Sequence, residues 1–183
     1  MMNADIIILT IILSYWGRRC IANLNGIFFF MQIHLNDLEL KLVKQLAIQR
    51  ERITKDIADF VNHKVDDTPN LIMINDGLCA EFAFCKLMNI YPDLSLQNYG
   101  HIDCYHPDWG TIDVKSTKFS DGKLLVGLWK KKFPDAYVLM IDRSPIFDFV
   151  GWIESEKMID DANIEIKGKS KNYVMPQWKL NKP

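Results

Sequence analysis

A mixed α/β (α+β) domain, with a central sheet of about five strands flanked by helices, is predicted by three features of the sequence. Helix-period segments come first, five strand-like runs follow, and 183 residues suffice for one well-filled core. Hydrophobic residues make up 49% and charged residues 25%, so disordered and fibrous classes are set aside. The net charge of -1 excludes a globally basic nucleic-acid binder and leaves only local patches. Two such patches are Lys130, Lys131 and Lys132 beside Trp129, and the tail carrying Lys167, Lys169, Lys171, Lys179 and Lys182. Each read alone is an ordinary solvated surface.

Taken in order, residues 1–30 stand apart from the rest. The run "IIILTIILSYW" is strongly apolar but shorter than the ~20 residues of a spanning helix. Arg18 and Arg19 follow it, whereas a secretory signal carries its positive charge first. The favoured reading is a non-domain N-terminal extension, produced by translation upstream of a domain spanning residues 31–183. A membrane-associating anchor and an extra strand packed on the domain remain as alternatives.

From Asp37 to about His63, the positions Leu38, Leu42, Leu46, Ile53, Ile57, Phe60 and Val61 mostly follow three- and four-residue steps, which predicts an amphipathic helix. Asn36 with Glu39 has the form of a capping box. "VDDTPN" breaks this helix, because Pro69 disfavours a helical Thr68. A second helix is predicted from Asp76 to Met88. Its stretch "LCAEFAFC" is apolar all round except for Glu81, so it is a buried helix. Then come "YGHIDCY", "TIDVKST", "KLLVGLW", "AYVLMID" and "FDFVGWI" as strands of a mostly antiparallel sheet, and "SEKM" as a helical turn. The cysteines Cys20, Cys79, Cys85 and Cys104 have no CxxC spacing and form no small-domain disulfide framework, which fits a reducing, intracellular setting.

The candidate site begins in "TIDVKST". Strand alternation puts Thr111, Asp113, Lys115 and Thr117 on one face, with Ile112 and Val114 on the other. With residues 106–110 as a hairpin loop, Tyr105 faces Thr111, Asp103 faces Asp113 and His101 faces Lys115. Like charges directly opposite destabilise a sheet, so a cation between the two carboxylates is the natural explanation. Glu81 adds a third carboxylate, costly to bury unless paired or bound to metal. Alone, each of these has a bland reading: a wet strand face, or a buried Glu satisfied by Lys or backbone.

Together, Glu81 in "GLCAEFAF", Asp103 in "GHIDCY", and Asp113 and Lys115 in "IDVKST" resemble the PD-(D/E)XK nuclease superfamily, over roughly Gly77 to Ile153. The D-x-K spacing is common by chance; the ordered set on helix, strand and strand is what makes it specific. Ile102 stands where the family usually has proline, and "KKKFPD" leaves little room for the usual helix after the third strand.

The resemblance implies a restriction-endonuclease-like fold and a metal-dependent nuclease, a DNA endonuclease similar to small phage and bacterial members. It implies a cytoplasmic setting in a bacterial cell or phage-infected host, and DNA as partner. Asp103, Asp113 and Glu81, with the carbonyl of Val114, would hold Mg²⁺ or Mn²⁺, and Lys115 would act on the water or the phosphate. Thr117, Lys118 and His101 are secondary candidates, read structurally as a polar strand end and a histidine beside the hairpin. Three rivals stand beside this reading: a non-catalytic nucleic-acid-binding or assembly domain, a structural Lys115–Asp113 ion pair, and a zinc hydrolase built on His101, Asp103 and His106.

Overall fold

The computed structural model describes residues 18–21, 30–55, 68–96, 102–167 and 170–182. Among the described residues, nine strands form two sheets. The main sheet has the order β1 (Arg18–Ile21), β2 (Phe30–His34), β7 (Ile146–Glu154), β6 (Ala136–Arg143), β4 (Gly110–Thr117), β3 (Cys104–His106). Only β4 and β6 run parallel; the other neighbours are antiparallel. The second sheet has the order β5 (Leu124–Gly127), β9 (Ser170–Met175), β8 (Ile164–Lys167). A mixed α/β domain with a mixed sheet is therefore what the chain forms. Its main sheet is close to the expected five strands in size but different in composition, because β5 leaves for the second sheet while β1 and β2 join.

Helix α1 (Asp37–Lys55) starts where expected, and its cap is reciprocal. Asn36 Oδ1 accepts from the amides of Leu38 and Glu39 at 3.0 Å, and the Asn36 amide donates to Glu39 Oε2 at 2.7 Å. The expected extension to His63 falls outside the described residues beyond Lys55. The buried stripe of α1 differs in part from the expectation: Val43, Ala47 and Arg50 are buried, with Leu40 and the expected Leu46 packed beside them, whereas Leu38 is 76% and Leu42 54% exposed. The stripe runs through steps of three and four that end on an arginine, and the leucines one position away gave the more obvious pattern.

Helix α2 (Asn70–Met88) starts six residues earlier than predicted, directly after Pro69. Its segment from Leu78 to Cys85 is buried all round, as expected. Asn89 closes the helix in the left-handed conformation, its amide shared between the Cys85 and Lys86 carbonyls.

The main sheet is covered on both faces. On one, Ile33, Ile112, Val114, Val138, Met140, Phe147 and Phe149 pack against α2 and α1. On the other, Tyr137, Leu139, Ile141, Val150 and Ile153 pack against Leu124, Val126 and Met175 of the second sheet and Met158 of α3 (Ser155–Met158). β6 lies between both layers and is buried from Ala136 to Asp142, which explains its unbroken apolar run.

A parallel pair needs a crossover, normally a helix. Here β5 and residues 128–135 make it instead. Asp135 fixes the end of that crossover to the start of β4: its Oδ2 accepts from the Thr111 amide and hydroxyl, both at 2.7 Å. Gly110 has φ of +73°, and a Cβ there would stand 2.3 Å from Asp135 Oδ2, so this junction requires glycine.

Of residues 1–30, the structure describes Arg18–Ile21, which pair with β2 as the sheet's edge strand, and Phe30, the first residue of β2. The apolar run before Arg18 lies outside the described residues. Among the described residues, no helix is long and apolar enough to cross a membrane. Cys79, Cys85 and Cys104 are free and buried.

Candidate functional site

The hairpin register follows the expectation where Tyr105 pairs with Thr111, and Cys104 pairs with Ile112; the Asp103 amide then donates to the Ile112 carbonyl at 2.7 Å, so the expected Asp103–Asp113 pair does not form. Pairing stops there because β3 begins at Cys104. Asp103 turns its carboxylate to the strand it has left, and Oδ2 accepts from the Val114 amide at 2.7 Å. A buried amide at the end of the pairing thus keeps an acceptor. His101 lies outside the described residues.

The polar face of β4 is not wet. Asp113 is 1% exposed, and both its oxygens face ammonium groups: Lys115 Nζ at Oδ1 and Lys130 Nζ at Oδ2. The Lys130 contact is a hydrogen bond, while no donor among the described residues is aligned with Oδ1, so Lys115 meets it as a charge. The Lys115 side chain is 32% exposed at this point, and that of Lys130 is 4% exposed.

Glu81 approaches from α2. Its Oε2 stands 3.6 Å from an Arg50 guanidinium nitrogen and accepts no hydrogen bond among the described residues. Arg50 is fixed from behind by donating to the carbonyls of Ser95 at 3.1 Å and Asp93 at 2.9 Å. The Asp93 amide in turn donates to the Asp103 carbonyl at 3.0 Å. Helix α1, the segment after α2, and the start of β3 are therefore held around one group of charges.

The electrostatics follow from burial and like charge. Burial, then the nearby Asp113, raises the Asp103 carboxyl to about 7, against the pull of Lys115 and the Val114 amide. Glu81 is held well above the usual carboxylate range by burial and by Asp103, with Arg50 opposing. Burial lowers Lys115, but Asp113 and Asp103 outweigh it and the ammonium is held above its ordinary value. Lys130 shifts downward, through burial and repulsion from Lys115.

Asp113 and Lys115 are in contact, and Asp103 and Glu81 lie within electrostatic reach of them without joining one close cluster. The secondary candidates have other partners: Thr117 Oγ1 accepts from the Phe119 amide at 3.2 Å, and Lys118 pairs with Asp76 at 2.7 Å. His106 stacks on Trp109 at 4.5 Å and its Nδ1 accepts from the Asp108 amide at 3.2 Å, so it belongs to the hairpin.

Two members escaped the sequence reading. Lys130 looked like one of three surface lysines, and only Lys131 and Lys132 are exposed. Its signal was faint: a lysine directly after β5 and Trp129. Arg50 had a clearer one, since it continues the stripe Leu40, Val43, Ala47.

The donor chemistry fits a hard divalent cation, because three buried carboxylates supply oxygen and one of their oxygens, Glu81 Oε2, lacks a hydrogen-bond donor among the described residues. They are not gathered into a ready cage: among the described residues no three His, Cys, Asp or Glu side chains are close enough to hold an ion. Compared with known protein families, curated proteins and solved structures, the chain finds no significant match.

Proposed function

We propose that the chain is a metal-dependent nuclease of restriction-endonuclease-like fold that hydrolyses phosphodiester bonds, with DNA as substrate and internal cleavage as its mode. The observation that carries this reading is the buried Asp113–Lys115 contact on β4, with Asp103 at the start of β3 and Glu81 on α2 within electrostatic reach of it. Perturbed titratable groups within reach of one another at the end of a strand pairing are what hydrolytic chemistry uses.

Asp103, Asp113 and Glu81 would hold Mg²⁺ or Mn²⁺, with the Val114 carbonyl as a further ligand by resemblance. The ion, when bound, supplies Lewis-acid polarisation of the scissile phosphate and acidifies the attacking water. Lys115 presents its partly exposed ammonium beside Asp113, where it orients that water and stabilises negative charge on the phosphate oxygens. Arg50 sets the position of Glu81.

A second reading draws on a specific observation. Both oxygens of Asp113 already face lysines, as in a cluster neutralised for stability alone. A non-catalytic nucleic-acid-binding or assembly domain would keep such a cluster.

A panel of labelled duplex, branched and single-stranded DNA and RNA, with Mg²⁺, Mn²⁺ or chelator, decides between them. Cleavage is expected with metal, and is expected to disappear with chelator and in folded Asp113→Ala and Lys115→Ala. Full cleavage by either variant overturns the site. Binding without cleavage under every metal condition favours the second reading.

A further inference from the structure

We infer that Lys130 is the resident counter-ion of Asp113, holding the carboxylate while no metal is bound and leaving it when a divalent cation enters. This rests on the metal-binding reading above. Three observations carry it. First, Asp113 is already neutralised where it stands: its two oxygens face Lys115 and Lys130. A divalent ion added to this set leaves a buried excess of positive charge, so one cation must give way.

Second, the three cations are not equally free to go. Arg50 is bound to two backbone carbonyls besides Glu81. Lys115 is already partly in solvent and sits on the rigid strand that carries Asp113. Lys130 is buried, sits on the crossover loop, and hydrogen-bonds to the very oxygen, Asp113 Oδ2, that a metal would need.

Third, the loop is shaped to deliver it. The Lys130 amide closes a turn onto the Gly127 carbonyl at 3.2 Å, and a Cβ at Gly127 would stand 2.2 Å from the Trp129 indole nitrogen. The face of Tyr137, 6.0 Å from the ammonium, borders its other side. Lys131 and Lys132, next in the chain, point to solvent. A buried lysine in a run of exposed ones is thereby aimed at the site.

Calorimetric titration of Mn²⁺ into metal-stripped wild type, Lys130→Met, Lys130→Gln and the exposed control Lys131→Met tests this. Removing the competing charge is expected to tighten Mn²⁺ binding by about tenfold or more in both Lys130 variants and to leave Lys131→Met at the wild-type value. Melts in chelator provide the companion readout: Lys130→Met melts below wild type, then gains more from Mn²⁺. If Lys130→Met does not fold without metal, Lys130→Gln, which keeps a donor and loses only the charge, carries the comparison. Equal or weaker Mn²⁺ binding in the Lys130 variants overturns the displacement while leaving the metal site standing. Absence of Mn²⁺ binding in every protein, wild type included, overturns both.

Discussion

Replacing Asp103 by Asn should make the metal-free protein more stable, an unusual outcome for a buried polar residue. The Asp103 carboxyl is raised from 3.8 to about 7, chiefly by burial and by Asp113. Between those values the folded state holds a proton that the unfolded state has lost. Wild-type stability therefore falls as pH rises through this window and levels off above it. At about 1.4 kcal/mol per pH unit, the ionised carboxylate costs the fold on the order of 4 kcal/mol at pH 8. Asn carries no charge and keeps an oxygen for the Val114 amide, now bonded at 2.7 Å.

Urea melts with chelator at pH 4.5, 6 and 8 measure this. With a slope of about 2 kcal/mol per molar urea, a gain of 2–4 kcal/mol raises the midpoint by roughly 1–2 M at pH 8. The gap should narrow toward pH 4, where the folded state keeps the Asp103 proton and the unfolded state begins to regain it. A midpoint equal to or below wild type at pH 8, or a gap indifferent to pH, refutes the reasoning. Repeating the pH 8 melts with Mg²⁺ at a hundredfold excess over its dissociation constant should raise wild type by about 2.7 kcal/mol and the variant by much less.

The rotated stripe on α1 predicts that Val43→Ala costs about 2 kcal/mol while Leu42→Ala changes stability by no more than about 0.5 kcal/mol; thermal melts of the pair check it, and the reverse order would restore the leucine stripe to the core. A chain starting at Met31 loses edge strand β1 but keeps the ladder from Met31 to His34 against β7, so a single cooperative melt is expected; a broad or absent transition would make the N-terminal segment part of the core.

What could be read from the sequence was local. The Asn36–Glu39 cap, the all-apolar surroundings of Glu81 and the Tyr105–Thr111 register each depend on residues within a few positions, or on one hairpin. The misses were set by distant partners. Whether β5 joins β4 or β9 depends on a strand that begins 43 residues after β5 ends. Helix α2 began early because Asn70, Asn75, Asp76 and Gly77 favour turns on their own, and contact with α1 and the sheet overrides them. Lys130 was hidden for the same reason. Only the path of the crossover over the sheet distinguishes it from Lys131.

Stability and chemistry can be separated at the Asp113–Lys130 pair. Lys130→Met leaves a buried carboxylate with Lys115 alone, and Asp113→Asn leaves a buried ammonium with no carboxylate at its tip, so each single change should destabilise by roughly 1–3 kcal/mol in chelator. Making both changes removes the carboxylate and the buried Lys130 ammonium together and leaves only Lys115, whose side chain is 32% exposed, without its partner. The double variant should therefore recover most of that loss, because a buried ion pair often contributes little beyond its own desolvation cost. Activity should not recover. A purely structural cluster would return nucleic-acid binding along with stability, whereas a hydrolytic site has lost its ligand and stays inactive however well it folds. Urea melts and cleavage assays on wild type, both singles and the double variant complete the cycle. If the double variant cleaves like wild type, Asp113 is not part of the machinery. If it is as unstable as the sum of the singles, the two charges do not act as a pair, and the resident counter-ion role of Lys130 fails with them.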